Sequence, residues 1–224
     1  MRRPKIFYGQ LFFTLIVCAF LIVPAILSAL AGVTENFFVG LKSGFPIRWI
    51  IEAWELYSET IYLSLLIAVF CLIINLFIGV LAAYSLAKIG GRTARIVEEM
   101  IVLPVAIPGL AIALALIIMY GGFRDFRTSW LFILVGHVLY TLPFMVRSVL
   151  AVLTSTNFKI LEEGAASLGA PFWHRFINVV LPNAKPGILA GSLMVITLSV
   201  GEFNLTWMLH TPMTKTLPVG LADS

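Results

Sequence analysis

Residues 61–87 read IYLSLLIAVFCLIINLFIGVLAAYSLA, and no side chain in the stretch carries a formal charge. About 20 apolar residues are enough for a helix to cross the ~30 Å hydrocarbon core of a bilayer. In lipid the backbone must satisfy its own hydrogen bonds, so such a run is a helix. Further apolar runs lie on either side, at about 11–33, 100–120, 130–146 and 186–209. The alternating ~10-residue segments of a membrane barrel are absent. These runs give an all-α integral membrane protein with five transmembrane helices visible.

Composition agrees. The 224 residues are 60% hydrophobic and 12% charged, with a mean hydropathy of +1.02. A soluble domain is about 25% charged and 45–50% apolar. The net charge of +4 is no nucleic-acid signature, because the basic residues sit in short loops beside apolar runs. Cys18 and Cys71 both fall inside such runs, without metal-ligand spacing, and read as small core residues. Ala29-Leu30-Ala31 has the form of a signal-peptidase site. The apolar run before it is longer than the usual 7–15 residues, so an uncleaved first span containing Pro24 is expected.

Trp49 to Tyr57 is amphipathic and is expected to lie at the interface, separate from the second span. Gly90-Gly91 marks a tight basic turn, and Pro104 and Pro108 interrupt the third span. One set of loops holds Arg2, Arg3, Lys5, Lys88, Arg92, Arg95, Arg147, Lys159, Arg175 and Lys185. The opposite set holds Lys42, Arg48, Arg124, Arg127 and Lys215. The richer side is cytoplasmic by the positive-inside rule. That puts the N-terminus inside, residue 224 outside, and 147–185 in the largest cytoplasmic loop.

That loop contains Leu161-Glu162-Glu163-Gly164-Ala165-Ala166-Ser167-Leu168-Gly169-Ala170-Pro171, then Phe172 to Val180, then Leu181-Pro182. Gly169 is expected to end one helix and Pro171 to open the next. Phe172, Phe176, Val179 and Val180 form an apolar stripe at i, i+4, i+7 and i+8. Leu181-Pro182 is expected to stop the helix before the fifth span. The stripe can dock in a partner's groove or pack on its own protein, and periodicity alone leaves both open.

Glu163-Gly164-Ala165, Gly169 four residues on, and Val179-x-Leu181-Pro182 after nine more resemble the EAA loop of ATP-binding-cassette importer permeases. The usual form is E-A-A-x-x-x-G-x(9)-I-x-L-P, and this chain departs from it at Gly164 and Val179. The resemblance covers roughly 58–224, with the loop at about 155–184 and residues 1–57 as an N-terminal helix plus periplasmic or interfacial segment. It implies a MetI-like permease fold with a core of six spans, of which the sixth is missing from these residues. It also implies a cytoplasmic coupling helix that inserts into a separate ATPase subunit. Glu163, Gly164, Ala165, Gly169, Ala170, Pro171, Phe172, Leu181 and Pro182 then carry that contact. ATP binds the partner, and this chain has no G-x-x-x-x-G-K-[ST] of its own. The other partners implied are a second permease subunit, identical or homologous, a periplasmic or lipid-anchored substrate-binding protein, and lipid. The setting implied is a bacterial inner membrane.

Gly201-Glu202-Phe203-Asn204 and Leu217-Pro218-Val219-Gly220 look similar to the polyamine, organophosphonate, ferric-iron, molybdate and thiamine branch. An organophosphonate or a polyamine is the expected solute. An intramembrane carboxylate turns to a cavity or a partner, so Glu202, with Asn204, is the candidate pathway group. Asn75, His137 and Thr141 read as interhelical hydrogen bonds, and Gly187, Gly191 and Gly201 as close-packing positions. A secondary transporter or channel would show paired interrupted helices, and the scattered prolines give no matched halves. A membrane-embedded enzyme would need a richer polar cluster than Glu202 and His137.

Overall fold

The computed structural model describes residues 5–36, 38–156 and 158–223. Arg2 and Arg3, counted above for orientation, and Ser224 lie outside them. The described residues are helical throughout, with turns and no strand. Contacts divide the chain into two units, 1–58 and 59–224.

The first unit holds α1 (Lys5–Val33) and a 3-10 turn at Gly40–Ser43. The apolar surface of α1 is exposed, as a helix facing lipid would be. Arg48 pairs with Glu35 at 3.0 Å.

Helix α2 (Arg48–Ile89) runs unbroken for 42 residues, about 63 Å at 1.5 Å per residue. Trp49 to Tyr57 is therefore continuous with the second span and not a separate interfacial piece. No proline interrupts Arg48–Ile89. Gly90 and Gly91, at φ 63° and 69°, reverse the chain into α3 (Gly91–Ala106).

Pro108 has no N–H and drives the residue before it into extended backbone. Ile107 sits at φ −95°, ψ 132°. Helix α4 (Gly109–Tyr120) leaves that joint at 100° to α3. After the single turn α5 (Arg124–Arg127), α6 (Trp130–Ser155) forms the core of the second unit. Pro143 lies inside it, and the helix outruns the expected span of about 130–146. The helix continues to Ser155, and Phe132, Ile133, Met145, Val146, Val149 and Leu153 along it are buried.

Helix α7 (Phe158–Ser167) and α8 (Phe172–Arg175) follow, then a π-helical segment (Phe176–Val180), then α9 (Leu181–Gly201). The expected stop at Leu181-Pro182 does not occur, since Phe172–Gly201 is one helical run. The Leu181 N–H reaches five residues back to the Phe176 carbonyl. That wide turn carries the helix into Pro182, and Asn183 Nδ2 donates to the Val179 carbonyl at 2.7 Å just beyond it.

Gly187 and Gly191 seat α9 on α6. A Cβ at Gly187 would lie 2.5 Å from the Ser148 carbonyl oxygen, and one at Gly191 2.7 Å from Met145 Sδ. Gly201 has open space around it, so its expected packing role does not hold. The fifth span also breaks earlier than expected. Glu202 is extended at φ −74°, ψ 116°, and α10 (Asn204–Leu209) is a separate helix. The tail forms α11 (Leu217–Ala222), its Leu217 N–H held by Ser64 Oγ at 2.7 Å.

Among the described residues four helices are long and apolar enough to cross a membrane, and five if the bent α3–α4 pair is one span.

Candidate functional site

Between α6 and α9 the chain builds a compact loop on the end of α2. Helix α7 stops as the sequence predicts. Gly169 adopts φ 83°, its N–H donates to the Ala166 carbonyl at 2.9 Å, and the Ala170 N–H donates to the Ala165 carbonyl at 3.1 Å. This is the paired Schellman closure that only glycine enters without strain. A Cβ on Gly169 would meet nothing of this chain within 4 Å, so the space over it is free.

The loop is held from beneath by a residue that motif reading passed over. Glu162 is buried, and Glu163 beside it is exposed. Glu162 Oε1 accepts from Tyr84 Oη at 2.9 Å and Lys88 Nζ at 3.0 Å, and Arg175 Nη1 lies at 3.8 Å. One carboxylate thus joins α2, α7 and α8. Burial alone raises its pKa. The hydrogen bonds from Lys88 and Tyr84 and the charges of Lys88 and Arg175 outweigh burial, and the carboxyl titrates below its ordinary value. The usable signal was spacing: Phe158 with Glu162 on α7, and Tyr84 with Lys88 on α2, are i, i+4 pairs on one face each.

The apolar stripe turns inward. Phe176 and Val180 are buried, and the Tyr84 ring lies 5.4 Å from Phe176, 6.2 Å from Phe172 and 6.3 Å from Phe158. Phe176 and Val180, the buried part of the stripe, pack on their own chain, while Phe172 keeps one side open. What faces outward is Leu168 at 90% exposure, Trp173 at 65% and Phe172 at 40%, with Glu163, Gly164 and Pro171. Ala165 and Ala170 are half-buried at the turn, and Leu181 and Pro182 belong to the helical run behind it.

The second constellation surrounds the broken fifth span. Glu202 Oε1 accepts the Leu205 N–H at 2.8 Å and caps α10. It lies 3.5 Å from the position of a Cβ on Gly109, at the start of α4. The two interrupted spans meet here, since α10 packs on α4. Sequence reading found no matched interruptions, because Glu202-Phe203 contains no proline to announce one. Asn204 is exposed. Arg127 Nη1 donates to the Leu209 carbonyl at 2.7 Å and closes the other end of α10.

Asn75, Thr141 and His137 are buried and interhelical, as expected. Asn75 Nδ2 donates to Thr141 Oγ1 at 3.0 Å, and Thr141 Oγ1 donates to the His137 carbonyl at 2.7 Å. His137 bonds Ser199 Oγ at 2.9 Å and Thr206 Oγ1 at 2.8 Å.

Residues 75–219 match the family model described as binding-protein-dependent transport system inner membrane component. A putative 2-aminoethylphosphonate transport system permease protein of Salmonella typhimurium is 28% identical over 90% of this chain and 77% of its own length. A probable sulfate transport system permease protein of Chlorokybus atmophyticus is 31% identical over 71% of this chain and 59% of its own. A molybdenum transport system permease protein of Escherichia coli is 26% identical over 71% and 76%.

Proposed function

The chain belongs to the family of binding-protein-dependent transport system inner membrane components, and from that premise we propose that it is the permease subunit of an ATP-driven importer of a small oxyanionic solute, an organophosphonate first. The loop from Phe158 to Pro182 is the contact to a separate ATPase subunit that binds the ATP. The observation that carries this reading is the turn at Gly169. It presents Leu168, Trp173 and Phe172 outward over free space, while Glu162 fixes its underside to α2. An exposed apolar cap on a rigid base fits a groove in a partner.

The N-terminus and this loop are cytoplasmic, and a second permease subunit and an external binding protein complete the assembly. The relatives named for 2-aminoethylphosphonate, sulfate and molybdenum transport support an oxyanion over a polyamine. The meeting of two interrupted spans is the one feature a secondary transporter would share, and family membership weighs against that reading.

A cysteine at Ala170 should cross-link to the ATPase subunit in the assembled complex. No cross-link from this position, in a complex that assembles and hydrolyses ATP, sinks the docking assignment. Titrating the co-purified binding protein with 2-aminoethylphosphonate, sulfate, molybdate and spermidine decides the solute, and preference for spermidine reverses it. Uptake that survives ATP depletion but not an ionophore would favour the secondary transporter.

A further inference from the structure

The break between α9 and α10 has no proline, and Gly201 is not in the left-handed region. The Glu202 cap holds it locally, and a second hold comes from α6. His137 on α6 touches both sides: Nδ1 meets Ser199 in the last turn of α9, and Nε2 meets Thr206 in the first turn of α10. Histidine and both hydroxyls are buried. A neutral imidazole has one donor and one acceptor nitrogen, and each hydroxyl can play either part.

Geometry makes this double contact specific to the broken form. The imidazole nitrogens are about 2 Å apart and point away from each other, so the two hydroxyl oxygens can be at most about 8 Å apart when both bonds are made. In a continuous helix, positions seven apart share a face but are separated by about 10.5 Å along the axis. Straightening α9 into α10 therefore costs His137 one of its two partners. The stranded group would be buried without a hydrogen bond, which is the expensive outcome. His137 is itself anchored from behind, its carbonyl accepting from Thr141, which in turn holds Asn75 of α2.

We infer that His137 is a positioning residue of transport: it pins Ser199 and Thr206 together across the Glu202-Phe203 joint, and so stabilises the bent over the straightened arrangement of the fifth span. This rests on the permease reading. A group that bonds one state better than the other shifts the population between them. The bent arrangement is the one in which Glu202 caps α10 and faces Gly109, so His137 sets where that carboxylate stands without touching solute.

The test is a distance across the joint in the whole transporter. Spin labels go on cysteines at Leu193 and Met208, both exposed, with Cys18 changed to serine and buried Cys71 kept. Distances are read without nucleotide and with ATP plus vanadate. The native chain should show a short and a long population whose ratio differs between the two conditions. His137→Leu should deplete the short population at least about two-fold wherever it is held, and His137→Gln, with a donor and an acceptor at similar spacing, should restore most of it.

A purely structural histidine would lower the yield of complex and leave the ratio alone. If His137→Leu does not assemble, Ser199→Ala and Thr206→Val each remove one bond and keep the ring, and both should move the ratio the same way. An unchanged ratio in these variants overturns the inference, as does a native chain with one distance in both conditions. Failure of the permease reading shows separately, as a native chain that recruits no ATPase subunit.

Discussion

Gly169 carries two demands that different substitutions separate. Its φ of 83° costs an L-residue about 1 kcal/mol or more, whereas asparagine tolerates that region better than most. The free space above it matters only if a partner comes close. Gly169→Asn should therefore keep the turn and assemble, while ATP-dependent uptake falls about ten-fold, and Gly169→Asp should do the same or worse. Native uptake by Gly169→Asn would assign the glycine to backbone geometry alone. At Glu162 the expectation concerns stability. Glu162→Ala leaves the buried Tyr84 hydroxyl without its acceptor, at a cost of about 1–3 kcal/mol, and takes an ion-pair partner from Lys88, whose half-exposed ammonium turns to water. Thermal unfolding of the complex should drop by several degrees, with a smaller drop for Glu162→Gln. The sign with pH follows from the depressed pKa. The anchor is fully present above the ordinary carboxylate range and is lost as pH falls through the lowered value in the folded chain. Native stability should thus converge on that of Glu162→Gln in acid. Parallel pH curves for the two proteins would show that the carboxylate is not the anchor.

Among elements, the α6–α9 crossing has the least room. A Cβ at Gly187 would meet backbone atoms of α6 at 2.5 and 2.9 Å, and backbone cannot rotate away. Gly187→Leu should abolish recovery of folded protein, and Gly187→Ala should cost about 1–3 kcal/mol by overpacking. Gly201→Ala, with open space around it, should be silent, and equal losses at Gly187 and Gly201 would contradict the packing. These elements also show what sequence can and cannot carry. The stop at Gly169, the interruption at Pro108 (though not at Pro104, which lies inside α3), and the close contacts of Gly187 and Gly191 were legible because each follows from one residue's own backbone or size. The passage of the helix through Pro182 was not, because it depends on a π turn. The joint at Glu202 was equally hidden, since His137 and Arg127, from helices far along the chain, hold it. The choice of Glu162 over Glu163 needed the phase of α7 against Tyr84, which a linear motif does not contain.

At the scale of the molecule, α2 measures the distance between the loop and the tail. Ser64 receives Leu217 of α11, and Tyr84 and Lys88 receive Glu162 of α7. Twenty helical residues separate Ser64 from Tyr84, about 30 Å along the axis, which is the thickness of the hydrocarbon core. The two docking points therefore cannot share one face of a bilayer that α2 crosses. Charge gives the expected direction, because Lys88, Arg92, Lys159 and Arg175 gather at the loop end and the positive-inside rule predicts a cytoplasmic position for that end, as proposed above. Leu168 and Met213 are each 90% exposed, one beside each docking point, and give the test. With Cys18 changed to serine, a cysteine at Met213 should react with a membrane-impermeant maleimide in intact spheroplasts. A cysteine at Leu168 should react only after permeabilisation, with the permease subunit produced without its ATPase partner so that the cap is uncovered. Reaction of Leu168 first, with Met213 protected, would invert the orientation and leave the span reading standing. Reaction of both from the same side would mean that α2 does not cross the membrane between its two docking points, and the five-span reading would fall with it.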